Sequence, residues 1–211
     1  MTPGAVRNSR EDVIAVALRL LDETGLADVT MRRLAGALDV QPSALYWHFT
    51  DKQTLLAAVS DRILDRAPVP PEREGDTWAG RALAAARALR EALLAYRDGA
   101  ELVASSLALG LGGNAARERL RAALGLGDFD AYIVDAGADA ILQFLLGHVA
   151  HEQQRMQADS LGVIAAAHAV RAEDAAQPFG QAAAFDFGVN LLLDGLAKHV
   201  RTPSPAAPLA V

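Results

Sequence analysis

Apolar residues in this chain recur at three- and four-residue spacing, and nowhere do they alternate as the half-buried face of a strand requires. Val13, Ile14, Ala17, Leu18 and Leu21 make one helical face, and Leu55, Leu56, Val59, Ile63 and Leu64 another. The expected fold class is all-α. Its boundaries follow from residues that start and stop helices. Ser9 suits an N-cap, Asp12 is favoured in the first turn by the helix dipole, and Gly25 ends that helix. Three prolines, Pro68, Pro70 and Pro71, interrupt the pattern and mark a boundary over 67–76 between a small N-terminal unit (1–66) and a larger one (67–202). Beyond it the spacing predicts a long Ala/Leu helix over 77–96 and a short one from Ala100. After a break at 110–113, Asn114 is expected to cap another helix. A long helix over 130–157, a segment over 161–172 and a last helix over 180–200 complete the chain. Residues 203–211, rich in proline, are expected to form a disordered tail.

Residues 30–52 read as two short helices joined by a tight turn. Thr30 caps the first, which buries Leu34, Ala35 and Leu38; Asp39 stands at the turn, where Asp tolerates the left-handed conformation. Pro42 suits the first turn of the next helix, where its missing N–H is no loss, and Leu45 and Phe49 face inward. The run from Thr50 to Gln53 reads as a capping box opening a fourth helix. A helix as short as the one after Pro42 buries too little to exist for its own sake. With the inward positions already filled, Tyr46, Trp47 and His48 are left to face out beside Arg32, Arg33 and Lys52, as expected of a helix-turn-helix in a DNA major groove. Arg32 can fork onto a guanine edge; Pro42, Ala44 and Tyr46 offer apolar contact to thymine methyls, and Ser43 serves either role. Thr30, Trp47, His48 and Lys52 fit phosphate contacts that fix register.

Charge narrows the mode of binding. The chain carries a formal −6, and residues 1–52 hold six basic residues against seven acidic ones, whereas nonspecific nucleic-acid binders are basic. The stretch from Val40 to Thr50 nevertheless contains no acid. The expectation is a local positive face with specific, salt-dependent binding. There is no cysteine, so disulfide and thiolate chemistry are excluded. The first ten residues lack an apolar run, and the apolar stretch 131–151 contains Asp135 and Asp139, which suits a soluble cytoplasmic protein with no membrane partner.

The run Thr-Met-Arg-Arg-Leu-Ala (30–35), Leu-Asp-Val (38–40), Leu-Tyr-Trp-His-Phe (45–49) and Asp-Lys (51–52) resembles the DNA-binding domain of the tetracycline-repressor (TetR) family. Its Leu-Tyr-Trp-His form points to the subgroup around the tetracycline repressors. Residues 92–100 and 184–200 resemble the corresponding later helices of that subgroup, so the match covers most of 9–200. The resemblance implies a homodimer on a double-stranded, palindromic operator, built through the long helix and the final helix of each chain. It implies a small-molecule effector cavity in each C-terminal domain, and a ligand-driven movement of the helix from Ala100 that swings the fourth helix. The apolar stripe Phe185, Val189, Leu192, Leu193 and Leu196 is the candidate dimer face, with intrachain core as the alternative.

The same resemblance places the effector pocket at Pro68, Ala85, Leu89, Val103, Leu142, His148 and His151. At the positions where the tetracycline repressors hold their magnesium–drug chelate, this chain has Val103 for a metal-binding histidine, His151 for a glutamate, Ala85 and Leu89 for drug contacts, and Pro68 for another histidine. Magnesium–tetracycline is therefore not the expected effector. The pocket should be more apolar, with His148 or His151 as polar anchors for a hydroxyl- or carbonyl-bearing ligand. His148, His151 and Glu152 lack the spacing and third ligand of a metal centre, and no cofactor is expected. Asp135 and Asp139 read as a solvated or dimer-facing edge, and Gly110–Gly113 follows no strand that would make it a phosphate loop. Two other classes compete: an enzyme acting on small molecules, which would need a nucleophile–base pair or metal cluster that the sequence does not offer, and a helical dimerisation scaffold.

Overall fold

A computed structural model describes residues 8–71, 74–160 and 180–201, and the described residues contain no strand. The helices are α1 (Arg10–Thr24), α2 (Met31–Ala37), α3 (Pro42–Leu45), α4 (Lys52–Asp65), α5 (Trp78–Leu94), α6 (Gly99–Ala108), α7 (Asn114–Leu124), α8 (Ala131–Ser160) and α9 (Gln181–Ala197), with a 3-10 turn at Leu26–Asp28. The segment expected over 161–172 and the tail 203–211 lie outside the described residues.

Local signals place the N-terminal helices. Ser9 and Asp12 form a reciprocal capping box, and Gly25 closes α1 at φ 85°. Asp39 takes the left-handed conformation at φ 53°, and Pro42 occupies the first turn of α3. Two caps differ from expectation. Helix α4 is capped by Asp51, one residue later than the expected box, and its carboxylate accepts from the Thr54 N–H at 2.7 Å. Helix α7 begins at Asn114 behind Gly113, whose φ of 85° favours glycine, so Asn114 is the first helical residue rather than the cap.

One apolar core runs from α1 through α9. Val13, Leu34, Leu55 and Ile63 lie in it at the N-terminal end, and Leu89, Leu102, Ile141 and Val149 at the other. Each such side chain contributes roughly 1.5–3 kcal/mol by burial. Helix α6 packs on α4 and α8, which makes it the bridge between the two units. Helix α8 has the length and hydropathy of a membrane span, and it packs on α5, α6, α7 and α9 with one face left open. Asp135 and Asp139 pair with Arg121 and Arg117 of α7, so their partly exposed edge carries an interhelical ion-pair ladder.

Candidate nucleic-acid interface and effector groove

Helix α2 is pinned at its start by Thr30, whose hydroxyl accepts from the Arg33 N–H at 3.2 Å. Leu34 and Ala35 are buried and orient the helix, leaving Arg32 and Arg33 exposed. The two arginines then part. Arg33 pairs with Asp28 at 2.9 Å, whereas Arg32 has no ionic partner among the described residues and keeps its whole guanidinium fork. The turn is held by the Val40 N–H to the Ala35 carbonyl at 3.0 Å and by Asn8, whose side-chain amide donates to the Leu38 carbonyl. Asn8 was not legible as a contributor.

Helix α3 is a single turn, and the chain continues from Tyr46 to His48 as turns rather than as helix. Leu45 and Phe49 are both 1% exposed and anchor its two ends. Arg10 lies over the Phe49 ring at 4.8 Å, a cation–π contact that stiffens the anchor. Between the anchors, Tyr46 is 52% and Trp47 89% exposed, with Pro42 and Ser43 exposed and Ala44, His48 and Lys52 half-buried alongside. The α3 candidates, Pro42 to His48, thus form a partly exposed ridge, and Arg32 and Arg33 are exposed on α2. Of the acids that flank this stretch in sequence, Asp39 and Asp51, the second caps α4. Hydrogen bonds from the backbone N–H and hydroxyl of Thr54 hold its carboxyl below the ordinary carboxylate range.

The effector candidates do not all meet. Pro68 and Ala85 line a groove of about 180 Å³ between α5, α7 and the 68–70 segment, with Arg81, Arg119 and Leu126 around it. Leu89, Val103 and Leu142 are fully packed in the core behind. His151 is exposed and does not line this groove, apart from the place expected for it. His148 lies between the rings of Phe144 and Phe185 at 5.5 and 5.4 Å, with its Nε2 buried and unpartnered. No group of metal-ligating side chains occurs among the described residues.

The expected dimer stripe also divides. Phe185, Val189 and Leu193 are buried inside the chain against α5 and α8, and Leu192 and Leu196 pack half-buried on the same core, so this face of α9 belongs to the intrachain core. The face left open carries Phe187 at 61% and Leu191 at 56% exposure. Beside it, α8 exposes the small residues Ala136, Ala140 and Gly147.

Three polar contacts that sequence did not disclose brace the fold, and the last of them joins the two units. Arg90 of α5 grips Glu152 of α8 with two bonds of 3.1 and 2.6 Å in a largely buried pair, and its guanidinium lies 5.5 Å from the Phe185 ring centre. Gln153 accepts from the Ala100 N–H and donates to the carbonyls of Leu93 and Tyr96, fixing the corner between α5 and α6. Asp61 of α4 accepts from the Gly113 N–H at 2.8 Å, joining the reading unit to the loop after α6. The one available signal was Arg90, a cation set among the alanines and leucines of a core helix.

Residues 13–59 match the family model for bacterial regulatory proteins of the tetR family, and residues 70–200 match that of the tetracyclin repressor-like C-terminal domain. The tetracycline repressor protein class C of Escherichia coli is 36% identical over 201 residues, covering 90% of each chain. Among solved structures, Mycobacterium smegmatis BioQ is 40% identical with a TM-score of 0.78, covering 91% of this chain and 99% of that one. A structure of BioQ with its natural double-stranded DNA operator is 39% identical with a TM-score of 0.72, at the same coverage. A TetR variant from Acinetobacter baumannii AYE in complex with minocycline is 30% identical with a TM-score of 0.70, covering 92% and 99%.

Proposed function

This chain belongs to the TetR family of bacterial regulatory proteins, and from that premise we infer that it holds an operator through residues 30–52 and releases it when a small molecule enters its C-terminal domain. It is a ligand-responsive, DNA-binding transcriptional repressor and not an enzyme. The observation that carries the DNA-reading role is the exposure of Tyr46 and Trp47 between two fully buried anchors on an acid-free ridge. An aromatic side chain offers 150–250 Å² of contact area, which a free-standing domain has reason to bury. Arg32, Pro42, Ser43, Ala44 and Tyr46 read base edges, while Thr30, Trp47, His48 and Lys52 fix the phosphates. Arg33, tied to Asp28, buttresses the ridge. The reading unit spans 1–66 with α4 as connector, and as a DNA-binding regulator the protein works in the cytoplasm.

A two-fold dimer through the open face of α8 and α9, with Phe187 and Leu191 at its centre, would present two reading heads to a palindromic operator. Magnesium–tetracycline is not the effector. Val103 brings no metal donor, and the Glu152 carboxylate is engaged by Arg90. Calorimetry with tetracycline and magnesium should show no binding, and tight magnesium-dependent binding would refute this. For the repressor role, fluorescence anisotropy on the DNA preceding the protein's own gene should show saturable binding that Arg32→Ala and Tyr46→Ala abolish without changing the oligomeric state. Equal binding by those variants, or none by the unmodified chain, overturns it.

A further inference from the structure

The groove between α5 and α7 is apolar except for two guanidinium groups, and they stand differently. Arg81 is engaged by the carbonyls of Pro70 and Pro71 and by Asp76. Among the described residues Arg119 makes one hydrogen bond, from Nη1 to the Ala67 carbonyl at 2.8 Å, and has no acid partner. Among the described residues no acidic side chain lines the groove. A half-buried guanidinium keeps four more N–H donors in a fork that matches a carboxylate. At the rim, Val69 and Leu126 stand 76% and 63% exposed, two aliphatic side chains that an apolar ligand body would cover.

We propose that the effector groove takes a small monocarboxylic acid, its carboxylate on Arg119 and its aliphatic body against Pro68, Ala85, Ala88 and Leu126. This deepens the reading of the C-terminal domain as the effector domain, and rests on it. Charge selects the class. One unpaired guanidinium balances one carboxylate, whereas a phosphate monoester carries about −1.5 to −2 and would stay half neutralised. Size selects within it. About 180 Å³ is below the roughly 300–1,000 Å³ of drug-sized sites. The polar anchor is then Arg119 rather than either histidine. Because Ala67 directly follows the end of α4, a carboxylate that draws Arg119 toward itself acts on the bond holding that end of the connector.

The test uses the full chain without DNA, titrated by calorimetry with octanoate, octan-1-ol and octylamine. Octanoate should bind saturably and the other two at least ten-fold more weakly, the factor set by a charged hydrogen bond. Arg119→Met should lose ten-fold or more for octanoate. Ala122→Glu, at an exposed position three residues from Arg119, should do the same by supplying a competing carboxylate without disturbing the fold. Circular dichroism melts verify folding of both variants. Absence of saturable octanoate binding, equal binding of octan-1-ol, or undiminished octanoate binding to Ala122→Glu overturns the proposal. Operator binding measured separately distinguishes the two failures. A chain that binds DNA but not octanoate refutes the ligand class alone, and one that binds octanoate but no DNA refutes the repressor reading alone.

Discussion

The backbone N–H of Leu26 donates to a carboxylate oxygen of Asp98 at 2.8 Å, across 72 residues of sequence. The other oxygen of Asp98 accepts from the Gln157 amide at 2.6 Å. One side chain thus joins the turn after α1, the corner between α5 and α6, and α8. Asp98 holds this position with φ at 55°, which Asp tolerates better than most residues. Gly25 makes room for it, since a Cβ there would lie 2.8 Å from the Asp98 Oδ2.

Asp98→Ala should therefore destabilise the protein by about 2 kcal/mol, from a half-buried N–H and amide left unpaired and a left-handed backbone no longer eased by a polar side chain. Asp98→Asn, which keeps an acceptor and tolerates that backbone, should lose less. Urea unfolding at constant slope measures both, and an unchanged midpoint for Asp98→Ala would refute the role.

In the reading ridge, unpaired Arg32 and the phosphate candidate Lys52 should behave differently. Arg32→Ala should weaken operator binding by about 1–3 kcal/mol and relax preference at one base position. Lys52→Ala should weaken all sequences alike and reduce the slope of log affinity against log salt by about one. Anisotropy titrations against a panel of operator mutants and salt concentrations separate the two patterns.

The Arg90–Glu152 pair spans α5 and α8 with side chains only 14% and 10% exposed. Removing one partner leaves a charge with little access to water, so Glu152→Ala should destabilise by about 3 kcal/mol. The double variant Arg90→Met with Glu152→Leu should recover much of that loss, because a packed apolar pair replaces the ions. Thermal and chemical unfolding of the three variants tests it; a double variant no better than Glu152→Ala would show that the ions contribute more than mutual neutralisation.

Much of the N-terminal unit was legible because its signals are local: the Ser9 cap, Gly25, Asp39 and Pro42 each act within a turn or two of chain. The ambiguity at α9 has the opposite origin. Phe185, Phe187, Val189, Leu191, Leu192 and Leu193 give this helix apolar residues on two faces, and periodicity does not say which one turns inward. Gly188 marks the answer in three dimensions, since a Cβ there would meet the Phe144 ring at 2.2 Å, so that face lies against α8. The groove arginines were missed because their environment is assembled from α5, α7 and the 68–70 segment.

Acid should weaken the fold through its capping and paired carboxyls. Ser9 hydrogen bonds lower the Asp12 pKa, Thr54 hydrogen bonds lower that of Asp51, and the bond from Arg87 lowers that of Asp186. A carboxyl whose folded pKa is depressed contributes stability above its unfolded pKa, about 3.9, and loses it as pH falls through the folded value. Melting temperature should hold from neutrality to about pH 5 and fall below about pH 4. Asp186→Asn should melt lower than the unmodified chain at neutral pH, with the gap closing in acid; a gap that widens in acid would reverse the assigned sign.

Phe187 and Leu191 lie one turn apart on the open face of α9, beside the small exposed residues of α8. Apolar residues so placed, with intrachain packing already complete through Phe185, Val189 and Leu193, fit a helix-on-helix contact between two copies. Leu191→Asp should place two like charges at or near the two-fold axis and yield a monomer by light scattering, with helical content retained. Operator affinity should fall with it, since a single reading head engages one half-site. Val189→Ala, inside the core, should instead lower the melting temperature by the few degrees expected for about 1–2 kcal/mol while leaving the dimer intact. A dimer that survives Leu191→Asp, or one lost through Val189→Ala, would move the interface to a different face of the molecule.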